Sequence, residues 1–137
     1  MLKPAGLEQS KDLVSLQFVK FPGDPVWDND PGMKEYYAFM KEWAPNEAAS
    51  DSTAAFAYMT SRLIETILRN AGNDLSRENV LKQATTLKDV ELPLLLPGIK
   101  VTYSPTDYAP IKQGRMARFD GSKWVHFGDL VSAVDGS

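Results

Sequence analysis

The stretch from Ser52 to Gly72 most constrains what this chain can fold into. Asp51, Ser52 and Thr53 each offer a side-chain oxygen that can cap a first helical turn, and Gly72 suits the left-handed conformation that ends a helix. The sequence therefore predicts an amphipathic helix around which the chain is organised. Its apolar side chains recur at steps of three and four residues, which places them on one helix face: Phe56, Leu63, Ile64, Ile67 and Leu68, with Met59 and Ala71 extending the stripe.

Length and composition limit the class of protein. With 137 residues and 43% hydrophobic residues, the chain is long enough for one domain with a core. A net charge of −3 without a basic cluster argues against nucleic-acid binding, and zero cysteines exclude disulfides and thiolate metal sites. The longest apolar run, residues 92–99, is broken by prolines and too short to span a bilayer. Residues 1–4 do not form a secretory signal, because no apolar segment follows Lys3.

Two further helices and one strand are predicted before residue 90. Residues 13–21 mix continuous and alternating apolar positions and indicate a strand, followed by a Pro-, Gly- and Asp-rich loop. Asp30 caps a helix with Pro31 at its first position, which ends before Pro45. Ser76 caps a helix over 77–87, whose buried side chains are expected to be Val80, Leu81 and Ala84.

From residue 90 onward the pattern changes to strands and irregular segments. The two prolines in 92–98 predict an irregular apolar segment packed under the helices, and 99–103 alternates like a short strand. Residues 111–119 and 123–127 flank Asp120-Gly121, a pair typical of a tight hairpin turn. A helical turn is expected within 129–137.

No residue pattern calls for catalysis, a metal or a cofactor. His126 is the single histidine, and without a second imidazole or a cysteine it cannot hold a transition metal. Asp24, Asp28 and Asp30 resemble a calcium-binding cluster, but the spacing lacks the required glycine and closing glutamate. A solvated turn is the better interpretation of these aspartates, and the chain is not expected to be an enzyme.

Aromatic residues are the remaining candidates for a binding site. Phe56 and Tyr58 lie near the start of the predicted helix, where free backbone N–H groups and the helix dipole favour a carboxylate. The alternative for both is core packing, which is the usual role of an aromatic side chain at helical spacing. Core packing is also the interpretation for four other aromatic residues, which are Tyr36, Tyr37, Trp43 and Trp124.

The order of several segments resembles the C-terminal part of an ABC-transporter substrate-binding protein of the leucine/isoleucine/valine-binding family. The similarity covers nearly the whole chain and depends on the shared order and spacing of the pieces. These pieces are NDLSREN (73–79), LLPGI (95–99), SPTDY (104–108) followed by IKQ (111–113), and RFDGSKW (118–124).

This resemblance implies an α/β fold, namely part of a type I periplasmic-binding fold with two lobes that close on a ligand. Residues 1–137 would then be a single C-terminal fragment containing pieces of both lobes, equivalent to about the last third of such a protein. The full-length parent would be periplasmic or extracytoplasmic. Strand edges and apolar faces that the missing part normally covers would be exposed in the fragment. The fragment is therefore expected to form a homo-oligomer.

The function implied is the non-enzymatic solute-binding component of an ABC importer for amino acids or related small carboxylates, with a membrane permease as partner. The region that matches a ligand-approaching part of the family contains Ala55, Phe56 and Tyr58. The alternative is a sensor or protein-interaction module that uses the same fold.

Overall fold

The computed structural model describes residues 6–133, which form three α-helices and a three-stranded antiparallel sheet. This confirms the expected combination of helices and strands. The chain divides into two compact units. The first contains residues 6–18 and 112–133 and is called the sheet unit; the second contains residues 19–111 and is called the helical unit.

The sheet unit is a hairpin with one added strand. Strand β1 (Val14–Gln17) pairs with β2 (Gln113–Phe119), which pairs with β3 (Trp124–Ser132). The carboxylate of Asp120 accepts the backbone N–H groups of Ser122 and Lys123 at 2.8 and 2.9 Å, which closes the turn. The predicted hairpin is therefore confirmed.

Two predictions at the ends of these strands are wrong in part. The strand expected over 13–21 forms only at Val14–Gln17, and Val19 instead makes an isolated bridge to Leu95 in the helical unit. The helical turn expected over 129–137 is replaced at 129–132 by β3, whose backbone pairs with β2 as far as Ser132. Residues 134–137 lie outside the described residues.

The two faces of the sheet differ in exposure. Ala117 and Phe119 lie on one face and are buried. The opposite face, called the exposed sheet face, carries large apolar side chains about half exposed: Val14, Leu16, Val125 and Phe127. Alternation along each strand places these side chains together, because residues two apart share a face.

The helical unit contains all three helices. Helix α1 (Pro31–Trp43) is capped by Asp30, α2 (Ser52–Ala71) by Asp51, and α3 (Arg77–Thr85) by Ser76. Each cap side chain accepts a backbone N–H of the first turn, which confirms Asp30, Asp51 and Ser76 as caps. Gly72 ends α2 with φ at 61°, a left-handed angle that glycine adopts without strain.

The predicted burial of several helical side chains is wrong. On α2 the most buried residues are Ala55, Tyr58, Met59 and Ala71, whereas Phe56, Ile64 and Leu68 are about half exposed. Leu81 of α3 and Trp43 of α1 are also exposed. Periodicity identified these helices correctly, but the side of each helix that meets a neighbour is set by tertiary packing.

The segment 92–99 fills the core beside the helices. Its irregular, buried course confirms the prediction, and its buried side chains are Leu92, Leu94, Leu95, Leu96 and Ile99. The strand predicted over 99–103 is wrong. Val101 exchanges two backbone hydrogen bonds with Val90, but Tyr103 donates to Leu87 and Thr102 to Pro110, so no continuous ladder forms.

A partly buried ion pair joins three segments of the helical unit. The Lys20 ammonium donates to both carboxylate oxygens of Asp30 at 2.8 Å and to the Pro93 carbonyl at 3.0 Å. Lys20 is only 8% exposed. Burial acts to raise the pKa of Asp30, but hydrogen bonds from Lys20 and from the Met33 N–H outweigh it and hold that pKa below 3.8. Asp30 therefore has a structural partner, and its interpretation as part of a solvated turn is wrong.

The substitution Asp30→Asn tests this ion pair without removing the helix cap, because asparagine caps helices about as well as aspartate. It leaves the Lys20 ammonium buried without a counter-charge, so we expect a loss of about 3 kcal/mol in the free energy of unfolding. Urea denaturation measures this loss. The control is Asp51→Asn, which alters the cap of α2 at an exposed position and should leave stability nearly unchanged. Equal losses in the two variants would contradict the ion-pair explanation.

The pH dependence of stability in wild type and in Asp30→Asn gives a second test of the ion pair. Because the pKa of Asp30 is lowered by folding, its stabilising effect is complete above about pH 4 and is lost as the pH falls through the folded-state pKa. The stability difference between wild type and Asp30→Asn should therefore shrink at acid pH. A difference that stays constant down to about pH 2 would argue against this role.

Candidate functional site

The start of α2 contributes to a small apolar depression in the helical unit. Ser52, Ala55, Phe56 and Met59 form one wall, and residues 19–22 with Leu94 form the other. The cap on Asp51 sets the direction of this first turn, since its carboxylate accepts the Thr53 N–H at 2.7 Å. The location therefore combines the beginning of a long helix with apolar side chains from two other segments.

The depression is small. Its cavity volume is about 20 Å³, room for roughly one water molecule. Pockets that enclose a small organic ligand usually measure several hundred Å³. An amino acid could therefore contact the mouth of the depression but could not be enclosed by it.

The structure brings two of the three predicted ligand-contacting residues together. Ala55 is buried at the wall of the depression, and Phe56 stands at its rim with 53% of its surface exposed. Phe56 is thus not a core residue, which was the alternative interpretation. Tyr58 does not line the depression, because its side chain packs against α1.

Tyr58 belongs to a cluster of aromatic side chains between α1 and α2. Its ring centroid lies 5.3 Å from that of Tyr36 and 5.0 Å from that of Phe39, and its hydroxyl donates to Glu35 Oε1 at 2.9 Å. Burial, and then the hydrogen bond to Glu35, raises the pKa of Tyr58 to about 12. Tyr36 is fully buried, as predicted, and donates its hydroxyl to the Ala49 carbonyl at 2.9 Å.

A second opening, which the sequence did not indicate, lies between these helices. We call it the α1–α2 groove; it is open to solvent and has a volume of about 350 Å³. The only sequence signal for it is the spacing of Phe39 and Trp43, one turn apart on α1. Trp43 was expected in the core but is 70% exposed. The groove is defined by Glu35, Phe39, Glu42 and Trp43 of α1 and by Tyr58, Arg62 and Glu65 of α2.

A third, wider opening contains paired charges. Glu65 accepts from Arg69 at 2.7 Å, and Arg62 contacts Glu35 at 3.0 Å. Lys20 and Asp30 also border this opening, and they form an ion pair with each other. Since these charged groups already have protein partners, the opening has the properties of a solvated helix surface.

Two of the three candidate calcium-binding aspartates are helix caps. Asp24 accepts the Val26 N–H at the start of a short 3₁₀ helix (Pro25–Trp27), and Asp30 caps α1. His126 lies within β3, opposite Ala117. Among residues 6–133, no group of three or more histidine, aspartate or glutamate side chains is placed to hold a metal ion.

Comparison with family models, with curated proteins and with solved structures finds no match for the chain. Within residues 6–133, no helix combines the length and the apolar character needed to cross a membrane.

The buried hydroxyl of Tyr58 makes a prediction for alkaline pH. The unfolded chain ionises this tyrosine near pH 10, but the folded chain keeps it protonated to about pH 12, so stability should fall as the pH rises above about 10. Tyr58→Phe should lose about 1 kcal/mol at neutral pH, by removing one hydrogen bond, and should show a weaker alkaline decline. Thermal melts across pH 7–12 measure both effects. The exposed Tyr108→Phe serves as the control, and identical pH profiles for Tyr58→Phe and wild type would refute the prediction.

Proposed function

We propose that this chain is part of the extracytoplasmic solute-binding component of an ABC importer, and that it contacts the solute through the start of α2. Its solutes would be amino acids or related small carboxylates, and its partner would be a membrane permease. It would bind the solute without catalysing a reaction. The same proposal includes the fold, which would be part of a type I periplasmic-binding fold. The observation that carries it is the half-exposed Phe56 beside an apolar depression at the start of α2, in the segment that resembles a ligand-approaching part of that family.

The surroundings of Phe56 favour contact with the apolar part of a solute. The depression is lined almost entirely by carbon, and the two charged groups near it already have partners: Lys20, which lines it, binds Asp30, and the Asp51 carboxylate at the helix start accepts the Thr53 N–H. A ligand carboxylate placed at the same helix end would meet this negative charge. We therefore assign the ligand's side chain, rather than its carboxylate, to Ala55 and Phe56.

The small volume of the depression requires a second surface above it. A ligand resting on Phe56 would stay largely in water unless another part of the protein closed over it. Hinge closure of two lobes supplies such a surface in proteins of the resembled family. The closed form, stabilised by the extra ligand contacts, is then the form that a permease recognises.

Two alanines of α2 provide a matched test of this site. Ala55→Leu fills the depression, whereas Ala57→Leu adds the same side chain at an exposed position of the same helix. With L-leucine as the probe, we expect saturation-transfer NMR signals for wild type and Ala57→Leu, and none for Ala55→Leu. Equal signals from the two variants, or no signal from wild type at millimolar leucine, would count against the proposal.

A sensor or protein-interaction module is the second candidate, favoured by the exposed sheet face. Contiguous apolar patches of this kind commonly mark binding surfaces. The surroundings of the gene would separate the two candidates. Neighbouring permease and ATPase genes support transport, and a signalling domain encoded downstream supports sensing.

We also propose that the chain self-associates through the exposed sheet face. The exposed sheet face leaves apolar surface in water at Val14, Leu16, Val125 and Phe127. Arg118, which pairs with Val14 and Val125, lies over the Phe127 ring at 5.8 Å. Strands β1 and β3 are both sheet edges within the described residues, so their outer backbone groups can pair with another strand. A second copy offers the same apolar face and the same edges.

Leu16→Lys should reduce this association, because the charge would be buried at the contact between copies. Leu81→Lys is the control, since Leu81 is similarly exposed but lies on α3. Sedimentation velocity at micromolar concentration should show a dimer or larger species for wild type and the control, and a smaller species for Leu16→Lys. A wild-type chain that sediments as a monomer would overturn this proposal.

A further inference from the structure

The α1–α2 groove has the size of a small-molecule site and is distinct from the depression at the start of α2. Its volume of about 350 Å³ lies within the usual range for ligand pockets. None of its lining residues lines the depression, because the two openings lie against different sides of α2. Whatever the groove binds is therefore independent of the proposed amino-acid contact.

Aromatic rings form one part of the groove. Phe39 and Trp43 are 41% and 70% exposed and lie four residues apart on α1, so they are neighbours on one helix face. The Tyr58 ring packs 5.0 Å from the Phe39 ring and holds it in place. Single exposed aromatic residues are common, but two on the wall of one groove give a ligand two exposed aromatic side chains to contact.

The charges of the groove are predominantly negative. Three carboxylates and one guanidinium line it, and Arg69 beside the groove pairs with Glu65, so these groups together carry one negative charge in excess. The Arg62 guanidinium contacts both Glu35 and Glu65, and Tyr58 donates its hydroxyl to Glu35. The carboxylate of Glu42 makes no hydrogen bond or ion pair with any other residue in the described range 6–133.

We propose that the α1–α2 groove binds a small organic ammonium ion, with its cationic head between the Glu42 carboxylate and the Trp43 and Phe39 rings. The excess of carboxylates repels anions, and the negative faces of aromatic rings attract cations. A metal ion is a poor fit, because the carboxylates of the groove are not among any group of described residues placed to hold a metal ion. Methyl or methylene groups on the ammonium would occupy the apolar surface of the rings.

The test uses choline chloride as the probe and 3,3-dimethyl-1-butanol as its neutral isostere, in which carbon replaces the nitrogen. Amide and indole N–H signals of α1 are followed by NMR at constant chloride, with sodium chloride replaced by choline chloride. We expect saturable shifts near Glu42 and Trp43 with choline and at least threefold weaker binding of the alcohol. Raising the salt concentration should weaken only choline binding.

Glu42→Gln should weaken choline binding about threefold to tenfold, and Trp43→Ala by a similar factor. Glu78→Gln removes an exposed carboxylate from α3 and should leave the affinity unchanged. All three changes lie at exposed helix positions, and the dispersion of the NMR spectrum reports whether each variant is folded. Equal binding of choline and the alcohol, unchanged affinity in Glu42→Gln, or absence of a saturable shift would each overturn the proposal.

Discussion

The contact between Lys20 and Asp30 is the interaction on which the helical unit depends most. It connects the segment before α1, the first turn of α1 and the irregular segment 92–99, since Lys20 also donates to the Pro93 carbonyl and its backbone N–H donates to Leu94. The first turn of α1 also approaches the segment 92–99 so closely that a Cβ on Gly32 would lie 2.1 Å from the Pro93 carbonyl oxygen. The Lys20 ammonium satisfies this partly buried carbonyl in an irregular segment that belongs to no sheet.

The position of α2 follows from this arrangement and gives the helix two different sides. Ala55 and Met59 meet the segments at 19–22 and 94, while Tyr58 meets Tyr36 and Phe39 of α1. The first side has only a shallow apolar depression, and the second borders an open groove with aromatic and acidic walls. One helix thus separates two surfaces of different chemistry, which is why two different ligands are proposed for them.

Local patterns predicted the helices and the hairpin because caps, periodicity and the Asp120-Gly121 turn act over a few residues. They did not predict the Lys20 contact, whose partner Pro93 lies 73 residues away. Nor did they give the exposed positions of Trp43 and Leu81, because the side of a helix that packs depends on neighbours the pattern does not contain. Phe56 was identified as a candidate from its place at the helix start, whereas the α1–α2 groove requires two helices to be placed in space.

The central claim is that the start of α2 contacts an amino-acid solute. Its most direct test is a map of backbone amide shifts as L-leucine is added to the folded chain. We expect shifts confined to residues 19–22 and to Ser52, Ala55 and Phe56, with the sheet unit and the α1–α2 groove unaffected. Shifts confined to the hairpin or to the groove, or no shifts at millimolar leucine, would contradict it.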